Sequence, residues 1–139
     1  MDYLSEFKRM MAEQSEIALA TTAEDGPNVR IVNFYYDTNC KVLYFISFQD
    51  NQKVSEIEQH PAVAFTTLSR AGEEHVRVKN AIARISPLAP ETLQEKFLEK
   101  QPGHLVGIPE VLPALVVLEV TFAQADVVLD FEHEGAIVL

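Results

Sequence analysis

Five β-rich segments follow one another along the first two thirds of the chain: IALATT (17–22), NVRIVNFYY (28–36), KVLYFISF (41–48), AVAFTTLS (62–69) and HVRVKNAIARIS (75–86). Each is dense in β-branched and aromatic residues, as strands are. AEDGP (23–27), DTNC (37–40) and RAGEE (70–74) separate several of them, with Asp25-Gly26-Pro27 the clearest turn signal. ALVVLEVTFAQADVVLDFE (114–132) adds one or two more strands. Apolar and polar positions alternate, which suits antiparallel strands packed on one face, and no βαβ rhythm is present. About six such strands with close turns predict a mainly β fold, a small antiparallel barrel with flanking helices.

The helices are few. From Asp2 to about Gln14, residues Tyr3, Phe7, Met10 and Met11 form one apolar stripe at helical spacing. A second helix runs from about Gln52 to Gln59 and is stopped by His60-Pro61. A third covers about Glu91 to Lys100, after Pro87 and Pro90. QPGHLVGIPEVLP (101–113) is an irregular connection. No repeat or linker interrupts the pattern, so residues 1–139 are expected to form one domain.

The formal charge is −10, and residues 101–139 hold no Lys or Arg. A phosphate backbone needs a patch of cations, so nucleic acid is not an expected partner. No uninterrupted apolar run exceeds five residues, against roughly 20 for a membrane helix, so no membrane span is expected. Cys40 is the single cysteine, in a turn with no basic neighbour to activate it. With no export signal at the start, a reducing cytoplasm is the expected location.

In so acidic a chain the few cations are informative. If 28–36 and 41–48 form one hairpin closed at 37–40, Tyr36 faces Lys41 and Arg30 faces Ser47 at the open end. From there the chain runs through FQDN to Gln52-Lys53 at a helix start. A helix N-terminus offers backbone N–H groups and partial positive charge. With a lysine, a guanidinium and a hydroxyl added, it suits a phosphate. The alternative is a solvated Lys53 and an Arg30 paired with a surface acid.

The run LATTAEDGPNVRIVNFYYD…KVLYFISF…QKVSEIEQHPAVAF…VRVKNAIARIS, spanning about Phe7 to Ser86, resembles the pyridoxamine 5′-phosphate oxidase-like, FMN-binding split-barrel proteins. The resemblance implies a six-stranded antiparallel split barrel that forms a homodimer and holds FMN at the shared interface. It places Arg30, Gln52 and Lys53 on the FMN phosphate, and Ile46 and Ser47 on the flavin and its ribityl phosphate. The backbone of Ile31, Val32 and Asn33 would line the isoalloxazine, with His75 close to the ring. A flavin-dependent oxidoreductase of unknown substrate is the expected activity, and NAD(P)H is a candidate donor because a bound flavin must be reduced by something.

Three departures narrow this. Gln52 stands where the oxidases have a second base, and Asn80 where a glycine is usual. The Arg-rich C-terminal segment that would recognise a vitamin B6 phosphate is missing, so the chain is not expected to be a true pyridoxamine phosphate oxidase. A flavin store or electron carrier, a barrel for haem or a deazaflavin, and a structural dimer without flavin stay open beside the oxidoreductase. No metal site is expected: DFEHEG (130–135) reads as a solvated tail, His104 as a surface residue and His60 as a helix cap. No catalytic residue is assigned, because a flavin carries its own redox chemistry.

Overall fold

The computed structural model describes all 139 residues. Helix α1 (Tyr3–Glu13) is followed by strands β1 (Glu16–Ala23), β2 (Gly26–Asn33), β3 (Tyr35–Asp37) and β4 (Val42–Phe48). Helix α2 (Gln52–Gln59), strands β5 (Ala62–Thr67) and β6 (His75–Ile85) and helix α3 (Pro90–Lys100) come next. Two 3-10 turns lead into β7 (Leu115–Phe122), β8 (Gln124–Val128) and β9 (Glu134–Val138). No helix is long and apolar enough to cross a membrane.

All nine strands belong to one antiparallel sheet, ordered β2-β1-β5-β6-β7-β4-β3, with β8 joined to β6 and β9 to β8. This is the expected antiparallel, mainly β class, with three strands more than the expected six. Two come from splitting: 28–36 breaks at Phe34 into β2 and β3, and 114–132 contains both β7 and β8. The ninth, β9, occupies residues read from sequence as the end of a polar tail and beyond. Only Asp130 to His133 form the turn, where the Asp130 carboxylate accepts from the backbone N–H groups of Glu132 and His133.

The expected 28–36/41–48 hairpin is corrected by the register. Strand β2 pairs with β1, so Arg30 lies across from Leu19 and not from Ser47. Only the three residues of β3 pair with β4, and Tyr36 faces Leu43 rather than Lys41. Phe34 causes the break: it turns into the core, 1% exposed, and its N–H bonds to the Ser15 carbonyl at 3.0 Å. The turn itself is wider than expected. Asp37 accepts from the N–H groups of Asn39 and Cys40, and Lys41 closes the loop at φ 59°.

The core fills the curled sheet. Phe7, Met10 and Met11 of α1 are fully buried, and Phe7 meets Tyr36 and Phe122 edge to face. Val54 and Ile57 bring α2 into the same core. A second cluster lies on the other face of β4, where Tyr44 and Ile46 pack with Leu93 and Phe97 of α3. Burial on both faces explains why β4 is nearly continuous in apolar residues instead of alternating. Strand β6 carries one extra residue between its Val78 and Ala81 contacts with Phe65 and Val63. Asn80 sits in that bulge at negative φ, so the position does not require glycine here.

Candidate functional site

The β1–β2 hairpin and α2 build the site. Ala23 pairs with Gly26 across a two-residue turn, and Gly26 takes φ 135°, a region that favours glycine. Beyond the turn, Thr21 and Leu19 face Asn28 and Arg30, and burial of Ile17, Leu19 and Thr21 shows that this face points inward. The Arg30 side chain therefore enters the barrel end instead of leaving it. Helix α2 starts immediately after β4, where the Asn51 side chain caps it by accepting from the Lys53 N–H at 3.0 Å. Val54 and Ile57 anchor α2 in the core, which turns Glu56 towards Thr21.

A closed polar cluster results. The Thr21 hydroxyl donates to Glu56 Oε1 at 2.6 Å, and Arg30 Nη2 donates to the same oxygen at 2.8 Å. Arg30 Nη1 donates to Thr21 Oγ1 at 2.5 Å, and Asn28 Nδ2 reaches Glu56 Oε2 at 3.4 Å. Glu56 is buried, yet its pKa is held below the ordinary carboxylate value, first by the Thr21 hydroxyl and then by Arg30 and Asn28. Arg30 thus pairs with an acid, as the alternative expectation held, but that acid is buried and not on the surface.

Lys53 is the contrasting cation. It is half-buried, with no acid within ion-pair distance and no hydrogen bond from its ammonium group. Burial pushes its pKa down, and the Arg30 charge adds to the effect. The other interior-facing cations are satisfied: Arg9 bonds Glu6, Glu13 and Glu74, and Lys100 donates to three carbonyls. Lys53 at the start of an eight-residue helix, with the Arg30 guanidinium of β2 near enough to disfavour its charge, makes a place where an anion is favourable.

The remaining expected residues are placed unevenly. Gln52 is exposed at the first position of α2. Ser47 is buried and its hydroxyl donates to the Phe48 carbonyl at 3.0 Å, while Ile46 belongs to the core beneath α3. Val32 faces inward against the core, whereas Ile31 and Asn33 point to the opposite face of β2. His75 is not brought to the cluster; it pairs with Val128, and its Nδ1 lies 2.8 Å from the Glu73 carbonyl. His104 is also corrected, because it is buried instead of lying on the surface. Its Nδ1 accepts from the Val106 N–H at 3.0 Å, its ring packs on Phe97, and burial lowers its pKa. Sequence reasoning missed Glu56, Thr21 and Asn28, although Thr21 stands in the inward series 17, 19, 21.

A curled antiparallel sheet closed by helices is the architecture of a split-barrel protein. The chain belongs to the pyridoxamine 5′-phosphate oxidase-like family, whose model matches residues 10–134. No curated protein is significantly similar to it in sequence. Among solved structures it is similar to a putative pyridoxamine 5′-phosphate oxidase from Listeria innocua, with 19% identity and a TM-score of 0.70, covering 89% of this chain and 96% of that one. It is also similar to an F420 reductase, with 24% identity and a TM-score of 0.69 over 82% and 90% of the two chains. A third is HutZ, the haem storage protein of Vibrio cholerae, with 16% identity and a TM-score of 0.69 over 99% and 95%.

Proposed function

We propose that this protein binds FMN, with the phosphate held by Lys53 and Arg30 at the start of α2, and acts as a flavin-dependent oxidoreductase. The observation that carries the reading is Lys53, a half-buried ammonium without a counter-ion beside a second cation. Gln52 and the first backbone N–H groups of α2 would complete the phosphate grip, and the backbone of Ile31 to Asn33 would line the ring. Bound flavin supplies the hydride- and electron-transfer chemistry, and the protein supplies binding, orientation and exclusion of water. NAD(P)H is the proposed donor, and the cytoplasm the proposed location.

A homodimer is part of the proposal. On the outward face of the sheet, Ile31 pairs with Ala18, Val29 with Ala20, Ala20 with Ala64, and Ala62 with Ile82. Val29, Ile31 and Ile82 are 63%, 59% and 52% exposed, so four adjacent strands present one apolar strip. A second copy covering that strip would also close the flavin site from the other side.

Titrating ligand-stripped protein with FMN and with riboflavin tests the reading. A phosphate held by charged hydrogen bonds is worth about 1.5–3 kcal/mol per bond, so FMN is expected to bind roughly ten- to over a hundredfold more tightly. Equal affinity overturns the phosphate site. The second reading, haem or a deazaflavin, is motivated by the names of two similar structures, and the absorption spectrum of the purified protein decides it. NAD(P)H turnover by the loaded protein separates an oxidoreductase from a flavin store.

A further inference from the structure

We infer that Glu56 sets the charge of the clamp: it neutralises Arg30 and fixes its direction, which leaves Lys53 as the cation that recognises phosphate. The inference rests on the FMN-phosphate reading above and assigns different roles to cations which that reading treats alike.

Geometry separates the two cations. Both terminal nitrogens of Arg30 are used on the inner side, Nη2 on Glu56 Oε1 and Nη1 on Thr21 Oγ1, and Thr21 donates to that same Glu56 oxygen. Three groups thus form a closed triangle in which the guanidinium has no free rotation. Two of its five N–H groups are spent there, and three are left for a ligand. The Glu56 side chain is 6% exposed and that of Arg30 21%. A carboxylate so deep is kept charged only by a partner that stays, because a buried unpaired charge is costly. Lys53 shares this face of α2, three residues before Glu56, but makes no ion pair with it.

The charges of Arg30, Lys53 and Glu56 sum to +1. A phosphate monoester brings about −1.5 to −2 at neutral pH. The Glu56 carboxylate is therefore a fixed like charge close to any phosphate that Arg30 touches, and it limits affinity. Its hydrogen bonds to Thr21 and Asn28 keep it in place when the ligand arrives. The clamp is built to hold an anion reversibly, with direction from Arg30 and net charge from Lys53.

The test is Glu56→Gln, which keeps an acceptor oxygen for Arg30 and removes the negative charge. FMN and riboflavin affinities are measured on the full-length, ligand-stripped protein at low and physiological salt. Removing one like charge near a phosphate in a partly exposed site is expected to tighten FMN about tenfold and leave riboflavin unchanged. The salt dependence of FMN binding should steepen. Weaker or unchanged FMN binding overturns the inference, as does an equal gain for riboflavin. Lys53→Gln, at a position whose side chain makes no ion pair or hydrogen bond, carries the test if Glu56→Gln is unfolded by circular dichroism. It alone should remove most of the preference for FMN over riboflavin, and retention of more than half of that preference on a logarithmic scale overturns the division of roles. A wild-type protein without that preference overturns the phosphate reading itself and this inference with it.

Discussion

Lys100 offers the sharpest test of how α1 and α3 are tied to the sheet. It is the last residue of α3, and its ammonium donates to the carbonyls of Met11 at 2.9 Å, Gln14 at 2.7 Å and Phe34 at 3.3 Å. It also stands 4.0 Å above the centre of the Phe34 ring. Met11 and Gln14 close α1, which has no basic residue in its own last turn. A cation from α3 thus completes the C-terminus of α1 and pins the break between β2 and β3. Burial, with a smaller contribution from Arg70, pushes the Lys100 pKa from 10.5 down to about 8.

Lys100→Met keeps the stem and removes the three donors. Two short bonds from a charged donor are worth about 1.5–3 kcal/mol each, or about 3–6 together. Methionine also removes the cost of burying the charge, which at 1.36 kcal/mol per pKa unit is about 3 kcal/mol for a fall from 10.5 to about 8. The net loss expected at pH 7 is about 0–3 kcal/mol. The pH dependence has a definite sign. Between pH 8 and 10.5 the unfolded chain binds this proton and the folded chain does not, so wild-type stability rises with pH in that window. Above pH 10 the buried Tyr36 hydroxyl, raised to about 12, works in the opposite direction, since the folded state then holds the extra proton. Urea unfolding at pH 7, 8, 9 and 9.8 measures both effects. Wild type should gain relative to Lys100→Met across that range, and parallel profiles would refute the role given to the Lys100 charge.

Three further outcomes are expected. At Gly135 of β9, an added Cβ would lie 2.6 Å from the Tyr3 ring, so Gly135→Ala should cost about 1–3 kcal/mol in chemical denaturation. The double variant with Tyr3→Ala should show a smaller penalty for the added methyl, and full additivity argues against the contact. Glu56, with its pKa lowered, contributes stability that is complete above its unfolded value of 4.5 and is lost as pH falls through the folded value. Glu56→Gln should therefore flatten the acid limb of the stability profile between pH 5 and 3, and an unchanged limb refutes this. If the proposed homodimer forms through the outward apolar strip, Ile31→Asp should shift the mass in light scattering from dimer to monomer, and an unchanged mass refutes that interface.

Local signals located most elements and failed where two pairings satisfy the same pattern. His60-Pro61 marks the end of α2, and the stripe on α1 marks its buried face. The register of β3 on β4 was not legible, because a shift of two residues keeps every side chain on its own face. The partner of β2 was equally ambiguous: β1 and β4 are both adjacent in the chain and both apolar. Phe34 decided it by turning inward, an event set by the core and not by its neighbours in sequence. Strand β9 was hidden because its apolar stretch is short and follows five polar or turn residues in six. Asn80 illustrates the converse, a departure from the resemblance that the bulge in β6 absorbs without strain.

The same distinction explains what sequence reveals of the site. Arg30 and Lys53 stand out because cations are scarce, whereas Glu56 does not stand out among 21 acids. Its importance comes from depth: it lies between Val54 and Ile57, the two residues that drive α2 into the core. Packing the helix therefore buries the carboxylate beside Thr21 and forces Arg30 to meet it. The overall charge of −10 has little bearing on a phosphate at this point, since charges beyond about 8 Å are screened at physiological salt. The local sum is what an arriving anion meets, and it is fixed by one helix that carries both the unpaired cation and the acid that neutralises the other. If the proposed clamp binds phosphate, core packing of α2 and the local charge are consequently coupled, and loosening Val54 or Ile57 should weaken FMN binding even though neither side chain is polar.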